Sequence, residues 1–190
     1  MKLIFMLLLL LTATRGTAQV ADDVLQYAPL ATAVGLGATG VQARHPLRER
    51  LVTAATAYAA LTAVAGGLKL AVSERRPDGS DRRAFPSGHA ARAFAGAELV
   101  RTEYGWAWGA GAYAVAAGVG ALRVAGDRHY VHDVVAGAAI GVLSARLSDW
   151  LLPVERLLLG WDNRRTAIGM VPTYAPATGT VGMAVSLTFR

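Results

Sequence analysis

The 190-residue sequence contains no cysteine, few charged side chains and few aromatic ones. The absence of cysteine excludes disulfide bonds and every metal site that depends on thiolate ligands. Charged residues make up 17% of the chain, whereas they account for about 25% of an average soluble domain. Hydrophobic residues make up 54%, and the mean hydropathy is +0.37. This composition is typical of a protein that associates with a membrane.

The charges that are present are mainly basic, with a formal net charge of +6 and an isoelectric point near 10.2. A basic excess suits a nucleic acid, an anionic bilayer surface or an anionic substrate. The arginines are scattered between apolar segments and form no long basic run with interleaved aromatic residues, so we expect no nucleic acid partner. No feature of the sequence implies an obligate protein partner.

The first eighteen residues are typical of a secretory signal peptide. Lys2 provides the positive start, residues 3–11 are apolar, and residues 16–18 are the small residues that a signal peptidase needs. This apolar run is too short to cross a bilayer alone, although Arg15 leaves an uncleaved anchor open. We therefore divide the chain into a signal peptide at 1–18, a helical domain at 19–152 and a C-terminal extension at 153–190.

Long segments with almost no charge fill the helical domain, and they lack the alternation of a half-buried strand, so we interpret them as helices. They are Leu25–Ala43, Leu51–Val72, Gly105–Leu122, and Val134–Leu143 with its continuation toward Leu152. The first three are near the length that the hydrocarbon core requires. A fifth segment, Gly88–Val100, carries Arg92 and Glu98, so we expect it to cross only inside a bundle. The sequence predicts an all-α fold, a bundle of about five core helices that is transmembrane.

Two further patterns concern packing and the C-terminal extension. Gly137 and Gly141 lie one helical turn apart, a spacing that favours close approach of helices, although alanine-rich helices also show it by chance. Thr166–Tyr174 and Val181–Phe189 flank a turn-rich stretch, which predicts a short C-terminal β-hairpin. Two strands cannot close a membrane barrel.

Three clusters of polar residues interrupt the apolar segments. They are Lys69 with Arg76-Pro77, then Pro86-Ser87-Gly88-His89, then Arg123 with His129 and Asp133. Lys69, Arg76 and Arg123 lie at or near the ends of apolar helices. Three cations gathered in one place need an anion, and arginine can bind two phosphate oxygens at once. Taken singly, each residue also has an ordinary structural explanation, such as a lysine that extends from a helix end toward water.

The second and third clusters add groups that can carry out chemistry. Pro86-Ser87-Gly88 starts a helix, whose unpaired N–H groups form an anion site that Gly88 leaves accessible. His129 and Asp133 are four residues apart, so on one helical face Asp133 can accept a hydrogen bond from the imidazole. That contact fixes the tautomer and leaves the other ring nitrogen free as a nucleophile. His89 is a second imidazole, able to protonate a leaving oxygen.

In this order and with these spacings, the clusters resemble the signature of the type 2 phosphatidic acid phosphatase and vanadium haloperoxidase superfamily. That signature is Lys-x6-Arg-Pro, then Pro-Ser-Gly-His, then Ser-Arg-x5-His-x3-Asp. The resemblance covers about Leu51–Ala145, and the one departure is Leu122, where the family usually has serine. It indicates the branch of bacterial membrane-associated lipid phosphatases.

The resemblance implies a phosphatase that hydrolyses a phosphate monoester or diphosphate through a phosphohistidine, with no metal or other cofactor and with vanadate as an inhibitor. His129 would be the nucleophile, Asp133 would orient it, and His89 would protonate the leaving oxygen. The phosphate-binding residues would be Lys69, Arg76, Ser87, Gly88 and Arg123. The implied substrate is a phosphorylated lipid of the phosphatidic acid, phosphatidylglycerol phosphate, undecaprenyl diphosphate or lipid A type.

Three alternatives remain open at this point: a secreted nonspecific acid phosphatase, a vanadium-dependent haloperoxidase, and a non-catalytic membrane protein that binds lipid head groups. For location, the three clusters must share one compartment because they build one pocket. The loop at 44–50, which we place on the opposite side, holds three arginines and one glutamate. Since Lys and Arg favour the cytoplasmic side, we expect a bacterial inner-membrane protein whose active site faces the periplasm. A periplasmic or secreted protein is the alternative.

Overall fold

A computed structural model of the chain describes residues 22–161 and the two strands of the C-terminal extension. The signal peptide expected at 1–18 lies outside the described residues. The chain divides into two compact units, residues 1–152 and residues 153–190.

Five α-helices follow a helical segment at residues 22–25 in the described part of the first unit, and the last of them continues to residue 158. They are α1 (Ala28–Gly35), α2 (Leu47–Ala71), α3 (Gly88–Tyr104), α4 (Trp106–Ala125) and α5 (Val131–Leu158). A short 3-10 helix, Leu36–Thr39, follows α1 directly. The predicted helical bundle is therefore confirmed.

Helix α3 lies at the centre of the bundle and packs against α1, α2 and α4. Its interior side chains are small, and five of its alanines are fully buried: Ala90, Ala91, Ala93, Ala95 and Ala97. Small side chains allow neighbouring helix backbones to approach closely. The bundle is thus held by close helix–helix contact around α3.

Helix α5 also approaches α3 closely, through Gly137 and Gly141. A Cβ atom at Gly137 would lie less than 3.0 Å from the Ser87 carbonyl oxygen, and one at Gly141 would be equally close to the Ala91 carbonyl oxygen. Real Cβ atoms essentially never come so near to a backbone atom. The close approach predicted from the spacing of the two glycines is therefore confirmed, and it occurs at the start of α3.

The first predicted helix, Leu25–Ala43, is wrong in its length. Helix α1 has eight residues, or about 12 Å, which is too short to cross a bilayer. Arg50 Nη1 donates to the Val34 carbonyl oxygen at 2.7 Å, and Gly40 has a left-handed φ of 90°. Both features stop a regular helix from continuing, because the side chain takes a terminal carbonyl and the backbone reverses.

Two helices, α2 and α5, are long and apolar enough to cross a membrane. Several large apolar side chains of α5 are strongly exposed: Leu143, Trp150, Leu157 and Leu158. Exposed apolar surface of this kind marks a contact with a partner or a membrane. In contrast, Glu98 of α3 is only 2% exposed and accepts hydrogen bonds from Arg101 and Tyr113. The charge that argued against α3 as a membrane segment is therefore enclosed by the bundle.

The second unit contains an antiparallel β-hairpin of β1 (Ala167–Ala175) and β2 (Thr180–Thr188). Its register runs from the pair Ala167–Thr188 to the pair Ala175–Thr180. Each strand agrees with its predicted limits to within one residue, so the predicted hairpin is confirmed. Residues 176–179, which connect the strands, lie outside the described residues.

Candidate active site

The three polar clusters meet at one end of the bundle. Lys69 lies in the last turn of α2 and Arg123 in the last turn of α4, whereas Ser87 caps the start of α3 and Asp133 lies in the first turn of α5. His129 lies in the short loop between α4 and α5. Residues far apart in the sequence therefore come together because two helices end where two others begin.

Hydrogen bonds to the backbone connect the clusters to one another. Lys69 Nζ donates to the carbonyl oxygen of Pro86 at 2.7 Å, which joins the first cluster to the second. Ser87 N–H donates to the carbonyl oxygen of Asp133 at 3.0 Å, which joins the second to the third. These bonds fix the relative positions of the elements that carry the site residues.

His129 and Asp133 form a buried pair. Their closest atoms, Nδ1 and Oδ2, lie 3.4 Å apart, and their side chains are 2% and 0% exposed. The same carboxylate oxygen accepts the N–H of Tyr130 at 2.8 Å, which holds the carboxylate in place. With Asp133 accepting from Nδ1–H, the lone pair of the neutral ring is on Nε2.

The electrostatic environment keeps the His129 imidazole neutral. Burial lowers its pKa to about 4, assisted by the positive charges of Arg76, Arg123 and Lys69 and opposed by Asp133. Lys69 comes from the end of α2, Arg76 from the loop after it and Arg123 from the end of α4, so charges from separate elements act on this imidazole. A neutral imidazole beside converging cations can attack an anion that those cations bind.

Each predicted cation also has a partner in the protein. Lys69 donates to backbone carbonyls, Arg76 Nε donates to Asp81 Oδ1 at 2.8 Å, and Arg123 Nη1 donates to Asp22 Oδ2 at 2.8 Å. The hydrogen bond from Arg76 is the main reason that the pKa of Asp81 is below its usual value. These contacts place the cationic groups before any ligand arrives.

Ser87 and Gly88 form the start of α3, as predicted. The Ser87 hydroxyl oxygen accepts the N–H of Ala90 at 3.4 Å, which is a weak N-terminal cap, and the residue is fully buried. The Arg92 guanidinium lies 3.6 Å from the place where a Cβ on Gly88 would be. The first turn of α3 thus offers backbone N–H groups close to positive charge, an arrangement that suits an anion.

His89 has a carboxylate partner that the sequence did not indicate. Its Nε2 lies 2.6 Å from Asp23 Oδ1, and Asp22, the preceding residue, is the partner of Arg123. Burial lowers the pKa of His89, and the hydrogen bond with Asp23 opposes this effect. Asp22 and Asp23, in the helical residues 22–25 ahead of α1, belong to no recognisable motif, so sequence reasoning missed both contacts.

His132 is a second side chain that sequence reasoning missed. Its Nε2 lies 2.8 Å from Glu74 Oε1 and 3.3 Å from Asp133 Oδ1, and its ring stacks on Tyr130 with centroids 5.4 Å apart. In the described residues, two groups have ligand atoms close enough to share a cation: Asp22, Asp23 and His89, and Glu74, His132 and Asp133. In each group the histidine already lies within hydrogen-bonding distance of a carboxylate.

Known proteins resemble this chain in sequence and in fold. A family model described as the PAP2 superfamily matches residues 50–155. The Lipid A 1-phosphatase of Porphyromonas gingivalis is 36% identical over 134 residues, which are 68% of this chain and 30% of that protein. The chain thus spans about a third of the length of the curated relative that it matches.

A solved structure shows the same fold. The crystal structure of Aquifex aeolicus LpxE aligns with a TM-score of 0.57 and 21% sequence identity, covering 78% of this chain and 94% of that one. The matched family region contains all eight predicted site residues, from Lys69 to Asp133. On the family match and the shared fold, the chain belongs to the PAP2 superfamily.

Proposed function

We propose that the protein is a phosphatase that hydrolyses the phosphate ester of a membrane lipid through a phosphohistidine at His129, without a metal ion. The observation that carries this proposal is the buried, neutral imidazole of His129, held by Asp133 and surrounded by the charges of Lys69, Arg76 and Arg123. A site that only bound head groups would need the cations but not a nucleophile with an orienting carboxylate.

The reaction would take place in two displacements. In the first, Nε2 of His129 forms a bond to phosphorus while the bond from phosphorus to the ester oxygen breaks, and His89 gives a proton to that oxygen. In the second, water attacks phosphorus, His89 takes back a proton, the P–N bond breaks and inorganic phosphate leaves. The fixed cations and the N–H groups of α3 would stabilise the charge on the equatorial oxygens throughout.

A lipid is the substrate class that we propose, because apolar helices and the site occur in one small unit. Helices α2 and α5 can each cross a membrane, and Lys69 and Asp133 lie at the site end of these two helices. A phosphate bound there would sit near the membrane surface, where lipid head groups lie. The name of the P. gingivalis relative, a lipid A phosphatase, supports a phosphorylated lipid.

We also propose that the site faces the periplasm. The loop before α2 lies at the other end of α3, because Arg44 N–H donates to the Glu103 carbonyl oxygen at 3.0 Å. Arg44 and Arg48 are exposed there, but Arg50 is buried and hydrogen-bonded to Tyr104. The positive charge at that surface is therefore smaller than the sequence suggested, although its sign still favours the cytoplasmic side.

The test is phosphate release by the purified protein in detergent, with EDTA present, from phosphatidic acid, phosphatidylglycerol phosphate, undecaprenyl diphosphate and lipid A. We expect release from at least one lipid, inhibition by orthovanadate, which resembles the transferring phosphoryl group, and no release by His129→Ala. His45→Asn is the control, since His45 bonds Glu103 at the far end of α3. An absolute requirement for Mg²⁺, or wild-type activity in His129→Ala, would contradict the proposal. Binding of lipid without turnover would favour a head-group binder.

A further inference from the structure

We infer that Asp23 is a positioning residue for His89 and maintains its ability to protonate the leaving oxygen. The inference rests on the proposed phosphatase function, and it assigns a role to a residue outside the three sequence clusters. With this role assigned, the site contains two histidine–carboxylate pairs, His89 with Asp23 and His129 with Asp133.

The contact itself is short and specific. Asp23 Oδ1 lies 2.6 Å from Nε2 of His89, whereas in the other pair Asp133 contacts Nδ1 of His129. A carboxylate that accepts from one ring nitrogen fixes the orientation of the ring and stabilises its protonated form. With Nε2 engaged by Asp23, the nitrogen left to donate a proton to the leaving oxygen is Nδ1.

Asp23 belongs to a segment that the protein holds firmly in place. Its neighbour Asp22 pairs with Arg123 at 2.8 Å, and both of these side chains are buried. On its other side, Gln26 donates to the Asp23 carbonyl oxygen at 2.8 Å and accepts from Arg92 of α3 at 2.7 Å. Because contacts on both sides fix the backbone at Asp23, its carboxylate reaches His89 from a defined position.

The charges around His89 explain why the site needs such a residue. Burial and the positive charge of Arg123 both lower the pKa of His89, while Asp22 and Asp23 raise it. Asp22 forms its ion pair with Arg123, whereas Asp23 is the residue that hydrogen-bonds to His89. Asp23 is thus the carboxylate whose hydrogen bond favours the protonated imidazole, and without it the proton would be lost at lower pH.

The experiment compares Asp23→Asn with wild type on two substrates that differ in their need for an acid. An alkyl phosphate such as phosphatidic acid has a poor leaving group, whereas 4-nitrophenyl phosphate has a good one that needs little protonation. General-acid assistance contributes about 10²–10⁴-fold, so we expect Asp23→Asn to lose about 10–100-fold in kcat/KM on the lipid and less than about threefold on the aryl ester. The basic limb of the pH profile should move to lower pH, and Asp23→Glu should restore part of the activity.

Two controls separate positioning from a general structural effect. Asp149→Asn removes a carboxylate that pairs with Arg44 away from the site, and it should leave both rates unchanged. In a His89→Ala background, Asp23→Asn should cause no further loss, since the two residues act as one unit.

The outcomes distinguish this inference from the proposed function. Absence of phosphate release by the wild type would refute both. If the wild type is active, an equal loss on the two substrates, additive losses with His89→Ala, or an unmoved basic limb would refute only the role of Asp23. A gain in kcat/KM for Asp23→Asn would likewise refute it, and would show that the acidic segment competes with the substrate.

Discussion

Replacing Gly137 with alanine should disable the site by separating α5 from the start of α3. The new Cβ would lie less than 3.0 Å from the Ser87 carbonyl oxygen and 3.2 Å from Ala90 Cβ. Backbone and a short side chain cannot rotate away, so one helix has to move. The Ser87 N–H bond to the Asp133 carbonyl oxygen, 3.0 Å long, joins the same two helix starts and would be strained by that movement.

The size of the effect follows from the contact distance. The contact between the new Cβ and the Ser87 carbonyl oxygen is shorter than an ordinary van der Waals contact by roughly 1 Å, so the helices would have to separate by about that distance. A displacement of about 1 Å between catalytic groups costs about 100-fold in rate. Overpacking a close contact costs about 1–3 kcal/mol in the free energy of unfolding. We therefore expect Gly137→Ala to lose about 100-fold in kcat/KM and to unfold at a lower temperature.

The matched control is Gly118→Ala in α4, where nothing lies within 4 Å of the new Cβ. Alanine is favoured over glycine in a helix by about 1 kcal/mol, so this variant should be at least as stable as the wild type and fully active. Phosphate release and thermal unfolding of both variants would be measured in the same detergent. If Gly137→Ala behaves like Gly118→Ala in both measurements, the close helix contact does not support the site as we describe.

Three further predictions concern the nucleophile, its pH dependence and the orientation of the chain. Asp133→Asn should reduce kcat but less than His129→Ala does, because the nucleophile remains; equal losses would contradict a purely orienting role. In a profile of kcat/KM against pH, activity should rise as pH increases through about 4, where His129 loses its proton, and fall as His89 loses its own below its ordinary pKa, which gives an acidic optimum. An alkaline optimum would show that these protonation states are wrongly assigned. A single cysteine at Ser80 should react with a membrane-impermeant maleimide in intact spheroplasts and one at Arg48 should not; the reverse pattern would invert the orientation.

The spacing of residues along the sequence predicted contacts that depend on a short stretch of chain. The four-residue separation of Gly137 and Gly141 predicted a close helix approach, because the helical period decides which side chains share a face. The same separation predicted the contact of His129 with Asp133, although His129 lies in the loop just before α5 and not on the helix itself. The convergence of the three clusters followed from the family resemblance, since helix periods do not determine how separate helices meet.

Contacts between distant parts of the chain were not predictable in this way. The partner of Arg123 is 101 residues away, and the partner of His89 is 66 residues away. Similarly, Arg50 was counted as a surface charge, but it lies buried and ends α1 by binding the Val34 carbonyl oxygen. A composition rich in Ala, Val and Leu favours a long helix, and only the tertiary contact shows where that helix ends.

The enclosure of Glu98 has a consequence for how the protein is made. Its carboxylate bonds Arg101 in its own helix, but its other partners are Tyr113 of α4 and Arg146 of α5, which are synthesised later. With Arg101 alone as a partner, the buried carboxylate lacks two of its three polar contacts, so α3 reaches its final surroundings only after α4 and α5 have been synthesised. Helix α3 therefore completes its contacts only after α5 has been synthesised. A chain interrupted before residue 146 would leave α3 exposed to quality-control proteases.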